Sequence, residues 1–182
     1  MSAPRSSTTR CRTDGGGYTY DIPQGFLDLA ITHGPPRHVL DDTASGERAG
    51  SVALWRAIVK ACPRVHCFGH IHEGWGGRHR TPLEGRWSPD HVVDMNKSGM
   101  LDNELMLKAN SLDNEQTLEQ KRGRWHSLLW DGKAHMDLEN GQWRTEQSQT
   151  LFVNACITDS QYNAIHPSWI VDLALPMAAS SH

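Results

Sequence analysis

A chain of 182 residues is long enough for one ordinary domain, and 18 Lys plus Arg against 21 Asp plus Glu gives no signal for a nucleic-acid or membrane-surface partner. Its four cysteines show no Cys-x-x-Cys spacing, which argues against a disulfide scaffold and against a structural zinc ribbon. No apolar run reaches the ~18 residues of a membrane helix, and the amino terminus lacks the apolar core of a signal peptide, so we expect a cytoplasmic protein.

The first segments are predicted to be an unstructured arm and then a strand. Residues 1–20 are mostly polar and rich in glycine, a composition typical of a disordered arm. A turn at residues 22–25 leads into the apolar, strand-like run 26–31. The Gly-Pro-Pro sequence at 34–36 ends this strand, because proline cannot donate a hydrogen bond to a sheet.

The next segments predict a helix and a second strand. After the polar loop 37–50, Ser51 is suited to cap an amphipathic helix over residues 51–61. Pro63 ends this helix, and a strand is predicted over residues 65–70. Together with the first strand this is a strand–helix–strand unit, which indicates parallel pairing with a right-handed crossover.

Residues 79–147 are interpreted as an insertion into the core domain. Leucines recur among charged residues over about 99–121, which predicts a helix with a break. Asp131-Gly132 is typical of a hairpin turn, so we expect strands at residues 125–130 and 134–138 to pair across it.

The last core elements are strands near 150–156 and 169–174, which we expect to complete the sheet. The predicted fold class is α/β with a mixed sheet. Its core consists of residues 21–78 and 148–176, and residues 177–182 form a tail.

Three histidines follow the two predicted strands of the first unit: His33 after the first strand, and His70 and His72 at the end of the second. Residues at the carboxyl ends of parallel strands meet in one crevice, and imidazole is a common ligand for zinc, iron, nickel and copper. Alternate residues of an extended strand share a face, so His70 and His72 are expected to face this crevice while Ile71 packs behind. We therefore expect the ring nitrogens of all three histidines to converge on a common crevice at the carboxyl end of the sheet.

Four other polar or aromatic residues near these motifs have two interpretations each. His66 is expected to lie in the core or beside the ligands rather than to bind metal. Glu73 is either an acceptor for a ligating imidazole or a solvated carboxylate. Asn154 is expected to satisfy a turn rather than face the site, and Trp75 to pack rather than stack on a substrate.

Four stretches of the sequence resemble one enzyme family, and together they cover residues 26–78 and about 149–175, under half of the chain. They are Thr32-His33-Gly34-Pro35-Pro36, Gly69-His70-Ile71-His72-Glu73-Gly74, Leu151-Phe152-Val153-Asn154-Ala155 and Pro167-Ser168-Trp169-Ile170-Val171-Asp172-Leu173. The resemblance is to the calcineurin-like metallophosphoesterases, and most closely to the small branch that carries the first two motifs in this form. It implies the carboxyl-terminal half of an α/β sandwich.

The resemblance also implies a dinuclear site of divalent transition metals, with Mn, Fe, Zn and Ni not distinguished. His33 and His70 would bind one metal and His72 the other. The implied activity is metal-dependent hydrolysis of phosphate mono- or diesters, and a nucleotide is among the candidate substrates because the small branch suggests cyclic nucleotides.

Other ligand motifs of the family do not occur in this sequence. No Asp is followed two residues later by His, and there is no Gly-Asp pair and no Asn-His pair. We therefore expect a truncated enzyme that is inactive as it stands, with an exposed sheet edge through which copies associate. The alternatives are a non-catalytic remnant that acts as a binding or regulatory module and, least favoured, a mononuclear three-histidine enzyme.

Overall fold

The computed structural model of the chain describes residues 10–14, 17–22, 27–80, 99–102, 114–139 and 149–175. The fold is α/β with a mixed sheet, as the sequence predicts, and the central sheet has five strands in the described residues. Within the ranges just given, no helix is both long enough and apolar enough to cross a membrane.

Within the described residues, the elements follow one another as strands, two helices and one turn of 3-10 helix. In order they are β1 (Arg10–Asp14), β2 (Gly17–Asp21), β3 (Leu29–Ile31), α1 (Val52–Ala61), β4 (Val65–Phe68), a 3-10 turn (His72–Gly74), β5 (Gly76–Arg80), β6 (Gly99–Asp102), α2 (Glu115–Asp131), β7 (Lys133–Asp137), β8 (Thr150–Asn154) and β9 (Ser168–Asp172).

The central sheet has the strand order β3-β4-β8-β5-β6. Strands β3, β4 and β8 run parallel, with Leu29 opposite Val65 and Val65 opposite Leu151, whereas β5 is antiparallel to both β8 and β6. The predicted parallel pairing of the first two core strands is therefore confirmed. Because β3, β4 and β8 are parallel, their carboxyl ends lie at the same end of the sheet.

Helix α1 crosses over from β3 to β4 and covers one face of the sheet. Its first turn is capped by Ser51, whose hydroxyl accepts from the Leu54 N–H at 3.1 Å. It ends at Cys62, which adopts a left-handed conformation (φ 47°) and donates its N–H to the Ile58 carbonyl. The predicted helix is confirmed, and its buried face packs with two aromatic residues from β4 and β8, Phe68 and Phe152.

The other face of the sheet is covered by a second layer in which β7 and β9 pair in parallel. Its apolar contacts with the sheet involve Val65, Met136, Leu138, Leu151 and Val153. The strand predicted near residues 169–174 therefore exists, but it does not complete the central sheet. Pairing with β7 instead buries the apolar face of β9 against the sheet.

The predicted hairpin around Asp131-Gly132 is wrong. Residues 115–131 are helical, and β7 pairs with β9 rather than with residues 125–130. A capping box explains the helix, because Asn114 accepts from the Thr117 N–H while Thr117 accepts from the Asn114 N–H. Gly132 (φ 66°) ends the helix instead of forming a hairpin turn.

Two further expectations about secondary structure need correction. Residues 99–102 form strand β6 rather than the start of a broken helix, and residues 103–113 lie outside the described ranges. Within the predicted disordered arm, β1 and β2 pair as an antiparallel hairpin, and Tyr20 packs against the core beneath α1. This contact holds β2 against the core. Residues 1–9 and the tail at 177–182 lie outside the described ranges.

Strand β3 lies at one edge of the central sheet, with β4 as its strand neighbour. Its Ala30 is buried, whereas Leu29 is 45% exposed and Ile31 is 69% exposed. Association of copies through this edge stays a prediction.

Candidate functional site

Two backbone hydrogen bonds continue the pairing of β3 and β4 beyond the ends of the strands and place His33. The Thr32 N–H donates to the Cys67 carbonyl at 3.0 Å, and the Gly69 N–H donates to the His33 carbonyl at 3.0 Å. His33 therefore lies at the carboxyl end of β3, directly beside the segment that follows β4.

His70 occupies a strained turn. The Ile71 N–H donates to the Gly69 carbonyl at 2.9 Å, and the φ angle of His70 is 73°, which together define a γ-turn with a positive central φ. Such a conformation costs a non-glycine residue about 1–3 kcal/mol and is concentrated at functional sites. The predicted strand over residues 65–70 thus ends at Phe68, and His72 begins the 3-10 turn. The expectation that His70 and His72 share one face of an extended strand is wrong.

The γ-turn brings the His70 ring against the His33 ring. His33 Nε2 and His70 Nδ1 are 3.1 Å apart, the ring centroids are 4.7 Å apart, and both side chains are exposed. Two imidazoles bound to one tetrahedral ion with metal–nitrogen bonds of about 2.0–2.1 Å would have their nitrogens about 3.3 Å apart. The spacing and the donor type of this pair therefore fit joint binding of one transition-metal ion.

His72 has its ring oriented by the loop that follows β8. His72 Nδ1 lies 2.5 Å from the Asp159 carbonyl oxygen, which can only accept, so Nδ1 carries the hydrogen. In the neutral ring Nε2 then holds a free lone pair, which is the arrangement typical of metal-binding histidines. The Tyr162 ring and this imidazole pack in a T-shaped arrangement, with ring centroids 5.5 Å apart.

The structure brings two of the three predicted ligands together. Across the ranges that the structure describes, no three His, Cys, Asp or Glu side chains are grouped so as to hold a metal ion. Convergence of His72 with His33 and His70 on a common crevice stays a prediction, and the ring of His72 contacts the loop at residues 155–167. Two imidazoles suit a transition metal by type, but they are too few to enclose one.

His66 is buried in the core, which confirms its predicted placement there. Its ring contacts the rings of Phe68 and Phe152, with centroids 5.0 and 5.8 Å away. Burial lowers the pKa of His66 to about 3, so the ring is neutral at pH 7. Its Nε2 lies 2.9 Å from Thr32 Oγ1, whereas its buried Nδ1 has no hydrogen-bond partner, which costs about 1–3 kcal/mol.

Asn154 and Trp75 have the structural roles that the sequence predicts. Asn154 is fully buried, donates from Nδ2 to the Ile71 carbonyl at 2.8 Å and accepts at Oδ1 from the Cys156 N–H. It therefore holds the backbone directly after the γ-turn. Trp75 is fully buried, donates to the Pro167 carbonyl at 3.0 Å and stacks on Trp169. Glu73 is exposed on the 3-10 turn, and its role as an acceptor stays a prediction.

The loop at residues 155–167 also borders the site through its contact with His72, which the sequence analysis did not predict. The Asp159 carboxylate accepts from the Asn163 side chain and from the backbone N–H groups of Asn163 and Gln161, and these bonds lower its pKa. His166 donates from Nδ1 to the Cys156 carbonyl at 3.0 Å, and burial lowers its pKa. The polar stretch at residues 159–163, which begins with Asp159, could have indicated a structured turn here. Asp and Asn side chains commonly hydrogen-bond to nearby backbone N–H groups and so stabilise turns.

Comparison with known proteins finds partial likenesses. The chain is 47% identical over 57 residues to the human "Metallophosphoesterase domain-containing protein 1", which is 30% of this chain and 17% of that protein. It is 43% identical over 56 residues to a UPF0046 protein of Caenorhabditis elegans, which is 30% of this chain and 14% of that protein. It is also 40% identical over 73 residues to a "Probable rhamnogalacturonate lyase C" of Emericella nidulans, which is 40% of this chain and 6% of that protein.

The aligned part of this chain therefore spans less than a fifth of each of these relatives. No family model matches the chain, and no solved structure matches it. The human relative suggests a relationship to the metallophosphoesterases, in agreement with the histidine motifs.

Proposed function

We propose that this chain carries part of the metal site of a phosphoesterase that hydrolyses phosphate mono- or diesters. His33 and His70 are the proposed ligands of one divalent transition metal, and His72 is the proposed ligand of a second. The contact between the His33 and His70 rings, 37 residues apart in the chain, is the observation that carries this proposal. The partial likeness to a protein named for its metallophosphoesterase domain supports it.

The chemistry of the three rings suits this role. A bound divalent ion would polarise a phosphoryl oxygen and lower the pKa of a water molecule. His33 and His70 present adjacent ring nitrogens at an exposed surface, where a phosphate ester has access. His72 is held by the Asp159 carbonyl with Nε2 free to bind. The proposed substrate is a phosphate ester, with nucleotides among the candidates.

The small number of metal ligands also limits the metal binding and the hydrolysis that we expect from these 182 residues alone. Two divalent ions about 4 Å apart repel each other strongly, and a shared carboxylate is needed to offset the repulsion. The structure places no such carboxylate with His33 and His70 in the ranges that it describes. We therefore expect one weakly bound ion per chain and little hydrolysis.

Cobalt binding tests the proposed ligands directly. The chain is titrated with Co²⁺ and followed by visible absorption, alongside His33→Ala, His70→Ala and the control His126→Ala, whose side chain is exposed on α2. We expect binding of one ion that both site variants lose and the control retains. Equal binding by all four proteins would contradict the assignment.

Hydrolysis of an aryl phosphodiester with Mn²⁺ tests the limit on activity. We expect the 182-residue chain to show turnover close to that of its His70→Ala variant. Robust turnover that depends on His70 would refute the argument from the incomplete site and would favour a mononuclear enzyme.

A further inference from the structure

A short chain of polar groups lies beneath the turn that carries His33. The Thr32 hydroxyl donates to the Gly34 carbonyl at 2.8 Å. Because a hydroxyl has one hydrogen, the contact of 2.9 Å between Thr32 Oγ1 and His66 Nε2 must be a bond that the imidazole N–H donates. The two bonds therefore run in one direction, from His66 through Thr32 to Gly34, and His33 lies between the last two residues.

Core packing alone does not explain a histidine at position 66. The ring is fully buried and contacts the rings of Phe68 and Phe152, and its Nδ1 has no hydrogen-bond partner. A phenylalanine there would occupy the same aromatic site without an unpaired polar atom. The feature that only the histidine supplies is the N–H bond to Thr32.

We propose that Thr32 and His66 are positioning residues that hold the peptide after His33 so that its ring stays against the His70 ring. This inference rests on the proposed metal-binding function. Backbone bonds already hold the segment at the His33 carbonyl and at the Thr32 N–H, and the Thr32–Gly34 bond holds it one residue later. Residues that hydrogen-bond around a metal ligand and fix its orientation typically weaken metal binding 10- to 100-fold when they are mutated.

The test compares three threonine variants. Thr32→Val removes the hydroxyl at nearly constant shape, and Thr32→Ser restores it. The matched control is Thr150→Val, because Thr150 is 1% exposed at the amino end of β8 and its buried hydroxyl has no hydrogen-bond partner. His66→Phe is a second way to break the chain of bonds if the valine variant at position 32 does not fold.

Two measurements are made on each variant. In the metal-free protein, ¹⁵N resonances of the His33 ring report whether it still faces His70, with His70→Ala as the reference for a broken pair. In the second measurement, Co²⁺ titration gives the dissociation constant. For Thr32→Val and His66→Phe we expect the His33 resonances to move toward the reference and Co²⁺ binding to weaken about 10- to 100-fold. We expect Thr32→Ser and Thr150→Val to stay close to the wild type.

The outcomes separate this inference from the proposed function. His33 resonances that do not move in Thr32→Val and His66→Phe would overturn the positioning role, whether or not the wild type binds Co²⁺. A wild type that binds no Co²⁺, with resonances that do move, would refute the metal function and leave the positioning role in place. Equal effects from Thr32→Val and Thr150→Val, or no rescue by serine, would overturn the inference in favour of a general loosening of the core.

Discussion

The free energy of unfolding should fall as the pH is lowered from 7.5 to 5, because His66 is buried in its neutral form. Burial lowers its pKa from 6.5 to about 3. The unfolded chain therefore takes up this proton as the pH falls through 6.5, while the folded chain does not until about pH 3. The contribution of His66 to stability is complete above pH 6.5 and is lost progressively between pH 6.5 and about 3.

The size of the effect follows from the two pKa values. For one group with a pKa of 6.5 when unfolded and about 3 when folded, linkage gives a loss of about 2 kcal/mol between pH 7.5 and 5. The steepest slope is about 1.4 kcal/mol per pH unit, which is the value for uptake of one proton.

Urea denaturation at pH 7.5, 6.5, 5.5 and 5.0 measures this loss in the wild type and in His66→Phe. The other ten of the 11 histidines are present in both proteins, so the difference between the two profiles isolates His66. We expect the profile of the phenylalanine variant to be flatter by about 2 kcal/mol over this range, and that of Thr150→Val to follow the wild type. Parallel profiles for the wild type and His66→Phe would refute the reasoning.

Two further predictions concern backbone constraints around the site. His70→Gly should be about 0.5–1 kcal/mol more stable to urea than His70→Ala, because glycine relieves the strain at a φ of 73°, and equal stabilities would show that the turn is not strained. Gly74→Ala should lower the free energy of unfolding by about 2–3 kcal/mol, since the new Cβ would lie 2.3 Å from the Leu40 carbonyl oxygen. The matched change Gly123→Ala, in open space on α2, should raise stability by about 0.5–1 kcal/mol; a neutral Gly74→Ala would contradict the clash.

The first strand–helix–strand unit could be predicted because its signals are local. Ser51 marks the start of α1, Pro63 follows its end, and apolar residues with helical spacing lie between them. The Gly-Pro-Pro turn likewise places His33 directly after β3. The parallel pairing then follows from the general rule for such units and needs no information from distant residues.

The features that could not be predicted depend on distant residues or on ambiguous local signals. Asp131-Gly132 suits a hairpin turn as well as the end of a helix, and the capping box at Asn114 and Thr117 favours the helix. The γ-turn at His70 is held by Asn154, 83 residues away from the Ile71 carbonyl to which it donates. A period-two pattern in the sequence therefore could not show that the strand ends at Phe68, before His70 and His72.

The His33–His70 contact also has a consequence for the folding equilibrium. The two rings face each other across a loop of 37 residues, and they meet only once β3 and β4 have paired with α1 packed against them. A ligand that bridges both rings therefore binds the folded chain in preference to the unfolded one, so it acts as a reversible cross-link. Its stabilising effect grows with the logarithm of its concentration and reaches about 2.7 kcal/mol at a hundredfold excess over its dissociation constant. The supply of such a ligand would thus set how often this part of the chain opens.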